Sequence, residues 1–174
     1  NLGLKYLVVA DLVDKVKNIS GIIDAFIVLQ KTHTKVSLTI IGDGFDRKIL
    51  EEKSSDNDNI SFEGRYNNQE VLKTLPEYDC LIVNSNFETF SMITAEALLS
   101  GVPVISSRCG GPEQFIETGV NGYLVNKNDS QDLLKHLELF RSNLEKFEPE
   151  VIHLAIKNQL NIEALAHKYG FNSS

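Results

Sequence analysis

Residues 79–107 read DCLIVNSNFETFSMITAEALLSGVPVISS. The opening run, Asp79–Asn84, is apolar on both faces, as a strand covered from two sides must be. A helical pattern then runs from Thr89 to Ser100. It stops at Gly101, a residue favoured where helices end, and Pro103 follows. A second apolar run, Val102–Ser107, comes next. Strand, helix and strand in so short a stretch form the repeating unit of a parallel sheet with right-handed crossovers.

The same alternation extends in both directions. Further strand-like runs are Leu4–Ala10, Val36–Gly42, Asn59–Glu63 and Gly122–Val125. A helix is expected from Asn18-Ile19-Ser20, with Ile19, Ile22, Ile23, Phe26 and Val28-Leu29 on one face. Others are expected over 45–54, over 67–75 with Asn67 or Asn68 as cap, and from Asp129 or Ser130 to about Leu144. Helical sequence continues to about Tyr169, and the part after Phe147 is expected to pack elsewhere in a larger protein. The expected fold is α/β: a doubly wound, Rossmann-like parallel sheet of about six strands with helices on both faces. It is expected to form one domain over 1–174. Such sheets bind ligands beyond the carboxyl ends of the strands, where the strand order reverses.

Composition narrows the chemistry. The chain has 174 residues, 42% hydrophobic and 24% charged, which describes one globular domain. A net charge of −7 argues against a nucleic-acid surface but leaves room for a local phosphate pocket. No apolar run is long enough to cross a membrane. Cys80 and Cys109 lack a CxxC partner, so neither a zinc site nor a disulfide framework is expected, and a reducing, cytoplasmic setting fits. His33, His136, His153 and His167 show no ligand spacing and are read as structural or solvent-facing. The first residue is Asn1 and a core strand follows almost at once, so a fragment of a longer protein is expected.

Several nucleotide motifs are missing. The stretch after the first strand, Asp11–Asn18, contains no glycine, so the dinucleotide fingerprint is absent where it is needed. No P-loop occurs. Gly42-Asp43-Gly44 is either a tight strand-to-helix turn or a phosphate cradle. The third strand ends Glu63-Gly64-Arg65-Tyr66, which fits a receiver domain badly.

The stretch at 79–107 carries the strongest chemical signal. Glu88 and Glu96 form an E-x7-E pair. Glu88 is expected at the helix entrance, where a carboxylate suits the macrodipole. Glu96 falls within an apolar arc of the helical wheel and needs a polar partner. On one helix the two would be separated by a rise of about 12 Å, beyond the roughly 5–9.5 Å used by paired glycosidase carboxylates. They are better placed to grip the two ends of an extended ligand. Between them lie the first-turn N–H groups near Phe90, Ser91 and Met92, suited to phosphate. Sugar, diphosphate and ribose follow one another in that order in a nucleotide sugar.

From about Lys5 to Leu139 the sequence resembles the carboxyl-terminal, donor-binding domain of GT-B glycosyltransferases of group 1, the retaining family 4. The pieces occur in order: Lys17, Ile41-Gly42-Asp43-Gly44, Phe62-Glu63-Gly64, the E-x7-E block closing with Gly101-Val102-Pro103-Val104, Gly110-Gly111-Pro112-Glu113, and Asn121-Gly122-Tyr123-Leu124-Val125. The resemblance implies transfer of a sugar from a nucleotide-diphosphate sugar, with polysaccharide or glycolipid biosynthesis as the setting. It implies that Glu88 is the catalytic carboxylate and holds the donor sugar, together with Gly110 and Gly111. Lys17 and the backbone of Phe90, Ser91 and Met92 would hold the diphosphate. Glu96 would hold the ribose, and Gly64, Arg65 and Tyr66 would lie beside the base. No cofactor and no metal are implied. The acceptor, and any peripheral membrane contact, would come through an amino-terminal half, so the isolated domain is expected to bind donor and transfer nothing.

One departure stands out. The family's Gly-Arg after the first strand reads Ala10-Asp11 here, and Lys17 is followed by Asn18 instead of Gly. Asp11 is expected to point away or to pair with Lys15 or Lys17, leaving Lys17 as the main phosphate cation and Arg65 as a helper. Two other readings remain. One is a nucleotide-sugar epimerase of the same fold, which would need further catalytic acids and a histidine near the site. The other is a non-catalytic nucleotide-sugar-binding module.

Overall fold

The computed structural model of the chain describes residues 3–160. Six strands, β1 (Leu4–Val9), β2 (Val36–Ile41), β3 (Ile60–Gly64), β4 (Cys80–Val83), β5 (Val104–Ser107) and β6 (Gly122–Val125), form one sheet. Every pairing is parallel and the order is β3-β2-β1-β4-β5-β6. The order reverses between β1 and β4, which is where a doubly wound sheet opens a crevice. All six expected strands are present, each within a residue or two of its expected span.

The helices are α1 (Asp14–Lys17), α2 (Ile19–Thr32), α3 (Arg47–Lys53), α4 (Asn68–Thr74), α5 (Met92–Leu99), α6 (Ser130–Ser142) and α7 (Pro149–Gln159). They cover both faces of the sheet. Helix α2 packs against α3 and α6, and α5 packs against α7. Most of the apolar stripe read from the sequence becomes the buried face of α2: Ile19, Ile22, Ile23, Phe26 and Leu29 are all at most 1% exposed, whereas Val28, one helical step off that face, is 44% exposed. Tyr6 of β1 meets Phe26 and Phe140 edge-on, joining that strand to α2 and α6. Strands β4 and β5 are buried at every position, as their two-sided apolar sequence requires. Cys80 and Cys109 are free and buried.

Two cap assignments are settled. Asn67 caps α4 in a reciprocal box with Glu70, and Asp129 caps α6 through the N–H of Asp132. Three expectations need correction. Helix α1 was not anticipated, because four residues carry no periodicity. Helix α5 begins at Met92 instead of Thr89, because Ser91 sits in the left-handed region (φ 62°, ψ 71°) and breaks the helical path. The segment after Phe147 packs on this domain: Ile152 and Ile156 of α7 are fully buried. The expected helical sequence from 161 to Tyr169, and His167, lie outside the described residues.

The turn after β2 is explained by close backbone approach. A Cβ on Gly42 (φ 151°) would lie 1.8 Å from the carbonyl oxygen of Ala10, and one on Gly44 would lie 2.6 Å from that of Leu12. The space these glycines leave is filled by the loop after β1, so of the two readings the structure supports the tight turn. Gly42→Ala must push the ends of β1 and β2 apart. It is expected to cost about 2 kcal/mol or more, a fall of about 4–8 °C in Tm by calorimetry.

Candidate functional site

The crevice between the carboxyl ends of β1 and β4 holds a cavity of about 210 Å³. Val8, Val9 and Ala10 of the β1 end form one wall, and Ile82 to Ser85 of the β4 end form another. Lys17 and Glu88 supply the only charged side chains among the described residues lining it. A second cavity of about 190 Å³, lined by Asp11, Ile41, Gly42, Arg65 and Tyr66, shares Val9 and Ala10 with the first. The two therefore adjoin at the carboxyl end of β1.

Lys17 and Glu88 meet directly. The Lys17 Nζ donates to Glu88 Oε1 at 2.5 Å, with side chains 23% and 17% exposed. The same oxygen accepts from Ser85 Oγ at 2.7 Å. Ser85 is itself fixed, since its carbonyl accepts from the buried Ser107 Oγ at 2.6 Å. Glu88 is also pinned through its main chain: its N–H donates to the Cys109 carbonyl, and its carbonyl accepts from the Gly111 N–H. Glu88 lies in the loop before α5 and forms a bridge with Gly110. It does not occupy the helix entrance, so the helical rise expected to separate it from Glu96 does not apply.

Lys17 is positioned from across the crevice. Asn86 donates its backbone N–H to the Val16 carbonyl at 2.8 Å and its side-chain N–H to the Lys15 carbonyl at 2.8 Å. Asn84 donates to the Asn18 carbonyl at 3.3 Å. The loop after β4 thus holds α1 by its exposed carbonyls. Asn18 ends α1 and starts α2 in the left-handed conformation (φ 49°, ψ 46°). Asparagine tolerates that region better than most residues, and glycine adopts it freely. Asn18 therefore meets the backbone requirement that Gly meets in the resembled pattern.

The first turn of α5 faces the cavity through Ser91, Met92 and Ile93. The N–H groups of Phe90, Ser91, Met92 and Ile93 find no acceptor among the described residues. Left-handed Ser91, whose hydroxyl bonds Thr94 Oγ1 at 2.8 Å, lies within this run of donors. Glu96 sits further along α5 and is half-buried. Burial pushes its carboxyl above the usual range, and the nearby Asn68 amide pulls it back. Asn68 belongs to α4, so a neighbouring helix brings an amide near this carboxylate.

Asp11 pairs with neither Lys15 nor Lys17. Its Oδ1 meets Arg65 Nη2 at 3.0 Å, and Arg65 also donates to the Asp43 carbonyl at 3.3 Å. Both side chains are 66% exposed, so the pair is open to solvent and of little energetic weight. Gly110 and Gly111 have an immediate structural reason: Cβ atoms there would lie 2.6 Å from the Glu88 carbonyl oxygen and 2.5 Å from the Phe90 carbonyl carbon. Gly64 adopts φ 77° and accepts from the Gly42 N–H at 2.7 Å. No described histidine lines either cavity. Ser85, Asn84, Asn86 and Ser107 escaped the sequence reading, because their partners are a carboxylate in the same loop or backbone carbonyls, and neither leaves a characteristic spacing.

The family model described as "Glycosyl transferases group 1" matches residues 2–153. The chain belongs to that family. It is similar to a GDP-mannose-dependent alpha-mannosyltransferase of Corynebacterium glutamicum, with 37% identity over 99 residues, 57% of this chain and 23% of that protein. It is also similar to the alpha-monoglucosyldiacylglycerol synthase of Acholeplasma laidlawii, with 31% identity over 147 residues, 83% of this chain and 35% of that protein. The chain thus spans about a quarter to a third of the length of these relatives. Among solved structures, Staphylococcus aureus TarM in complex with fondaparinux, alpha-GlcNAc-glycerol and UDP superposes with a TM-score of 0.86. That match covers 99% of this chain and 36% of TarM at 22% identity, and shows the fold. The fold of this group 1 domain is one half of the GT-B arrangement.

The backbone at position 18 gives a direct test. Asn18→Gly should leave Tm within about 2 °C, whereas Asn18→Val, which resists positive φ, should lose about 1–2 kcal/mol in chemical denaturation.

Proposed function

We propose that this chain is the donor-binding half of a retaining glycosyltransferase of family 4, which moves a hexosyl group from a nucleotide-diphosphate sugar to an acceptor. The observation that carries the proposal is the convergence of Lys17 Nζ, Glu88 and the free N–H groups of Ser91, Met92 and Ile93 on one cavity at the reversal of strand order. A cation and a helix amino terminus facing one space suit a diphosphate. In this reading Lys17 and the backbone of Phe90, Ser91 and Met92 bind the diphosphate and stabilise the charge that develops as it leaves, without a metal. Glu88 is the catalytic carboxylate and, with Gly110 and Gly111 beside it, holds the donor sugar. Glu96 accepts the ribose hydroxyls. The second cavity, bounded by Arg65 and Tyr66 with Gly64 next to them in the chain, receives the base, and Arg65 reaches Asp11 across its open side.

The relatives support this reading. One is named for dependence on GDP-mannose, another makes a glucosylated diacylglycerol, and the TarM structure contains UDP. Polysaccharide or glycolipid assembly at the cytoplasmic side is the setting we propose. The acceptor would be held by an amino-terminal half, which also makes any membrane contact, so residues 1–174 alone bind donor and transfer nothing. No described helix is long and apolar enough to cross a membrane.

Calorimetric titration with UDP-glucose, GDP-mannose and ADP-glucose tests the proposal and identifies the base. Lys17→Ala should weaken the preferred donor roughly 10- to 100-fold, as expected for lost charge-assisted hydrogen bonds. Unchanged affinity would remove Lys17 from the site. Glu96 adds a pH signature. Its folded pKa is raised, so its carboxylate is lost as pH falls through a range above the ordinary one. Donor affinity should therefore begin to fall earlier on acidification in the wild type than in Glu96→Gln, which should start weaker and stay flat across that range. Parallel pH profiles in the two proteins would exclude Glu96 as a ribose acceptor.

A further inference from the structure

The Lys17–Glu88 pair has a consequence for ligand choice, one that rests on the function proposed above. Glu88 presents a divided carboxylate. Its Oε1 accepts from both Lys17 Nζ and Ser85 Oγ, whereas no partner of Oε2 occurs among the described residues. The carboxylate is held at its side chain by Lys17 and Ser85, and at its main chain by Cys109 and Gly111. It cannot swing away cheaply when an anion arrives at Lys17. The cation that would receive a phosphate therefore comes with a fixed negative group 2.5 Å from its nitrogen. Among the described lining residues of that cavity no other ionised side chain offsets the two.

Two ligands respond differently to this arrangement. A bare nucleoside diphosphate ends in a phosphate that titrates near pH 6 and carries about one more negative charge than the same group esterified to a sugar. That charge must sit beside the Glu88 carboxylate. A nucleotide sugar replaces the charge with a ring of hydroxyl donors, which Oε2 can accept. We propose that Glu88, fixed by Ser85 and paired with Lys17, is a specificity-determining residue that disfavours the bare nucleoside diphosphate relative to its sugar ester. The carboxylate works by repulsion against one ligand and by hydrogen bonding to the other, the two-sided design that selective sites require. It would favour exchange of spent diphosphate for fresh donor.

The test is a double-mutant cycle on the 174-residue chain. UDP, GDP, UDP-glucose and GDP-mannose are titrated by calorimetry at pH 7.5, with folding checked by circular dichroism. Glu88→Gln keeps the shape and removes the charge. It should bind the preferred bare diphosphate about tenfold more tightly than wild type, the size expected for one partly solvated like-charge contact. Glu88→Ala, which keeps neither charge nor hydrogen bond, should shift in the same direction and serves if the glutamine variant misfolds. Adding Lys17→Met to Glu88→Gln should weaken the bare diphosphate and its sugar ester alike and leave the relative gain of the bare diphosphate in place, because the repulsion comes from the carboxylate. Unchanged or weaker binding of the bare diphosphate by both Glu88 variants would overturn the inference while leaving the proposed function standing. So would an equal gain for the bare diphosphate and its sugar ester. Failure of the wild type to bind any of the four probes would remove the proposed function, and the inference with it.

Discussion

The ion pair between Lys17 and Glu88 spans the gap where the sheet reverses its order. Strands β1 and β4 are hydrogen-bonded neighbours, but their chains leave in different directions, the one into α1 and the other toward α5. The two departing loops would otherwise leave peptide groups unpaired at the carboxyl edge. Asn84 and Asn86 answer this from one side by donating to carbonyls at the end of α1. The salt bridge adds a side-chain link across the same gap, with Ser85 and Ser107 as backing. A single polar network thus closes the sheet's reversal point and sets the charges in the cavity.

That network separates what a sequence can disclose from what it cannot. The strands were legible because burial on both faces imposes an unbroken apolar run, and the runs at Cys80–Val83 and Val104–Ser107 sit in the middle of the sheet. The buried face of α2 was legible from its spacing, and the cap of α6 was narrowed to Asp129 or Ser130 from its side-chain chemistry. The start of α5 was not. The pattern from Thr89 onward has helical character, and only the left-handed backbone at Ser91 delays the helix. Composition does not reveal one dihedral angle.

The candidate site was legible in its letters and less so in its contacts. Lys17 and Glu88, both singled out in the sequence, line one cavity, yet their contact with each other is a property of the folded crevice. The link between Asp11 and Arg65 joins the ends of β1 and β3, which are not adjacent in the sheet, and local sequence carries no trace of it. Gly110 and Gly111 were read for closeness to a ligand. The structure adds a requirement from inside the protein, since the backbone at Glu88 and Phe90 already fills the space a side chain would need. Ser85 and Ser107 belong to a class of residue that looks ordinary in sequence, because a hydroxyl serving a carboxylate or a carbonyl has no characteristic spacing.

Asn18 shows what a motif encodes. At this position the chain turns from one helix into the next through a left-handed residue, and its carbonyl faces Asn84. Neither contribution depends on a particular side chain. The alphabet at such a position is defined by torsion angles, so two different letters can be synonyms there, much as two codons are. A pattern written in residue names would count Asn18 as a mismatch, whereas one written in accessible conformations would count it as agreement.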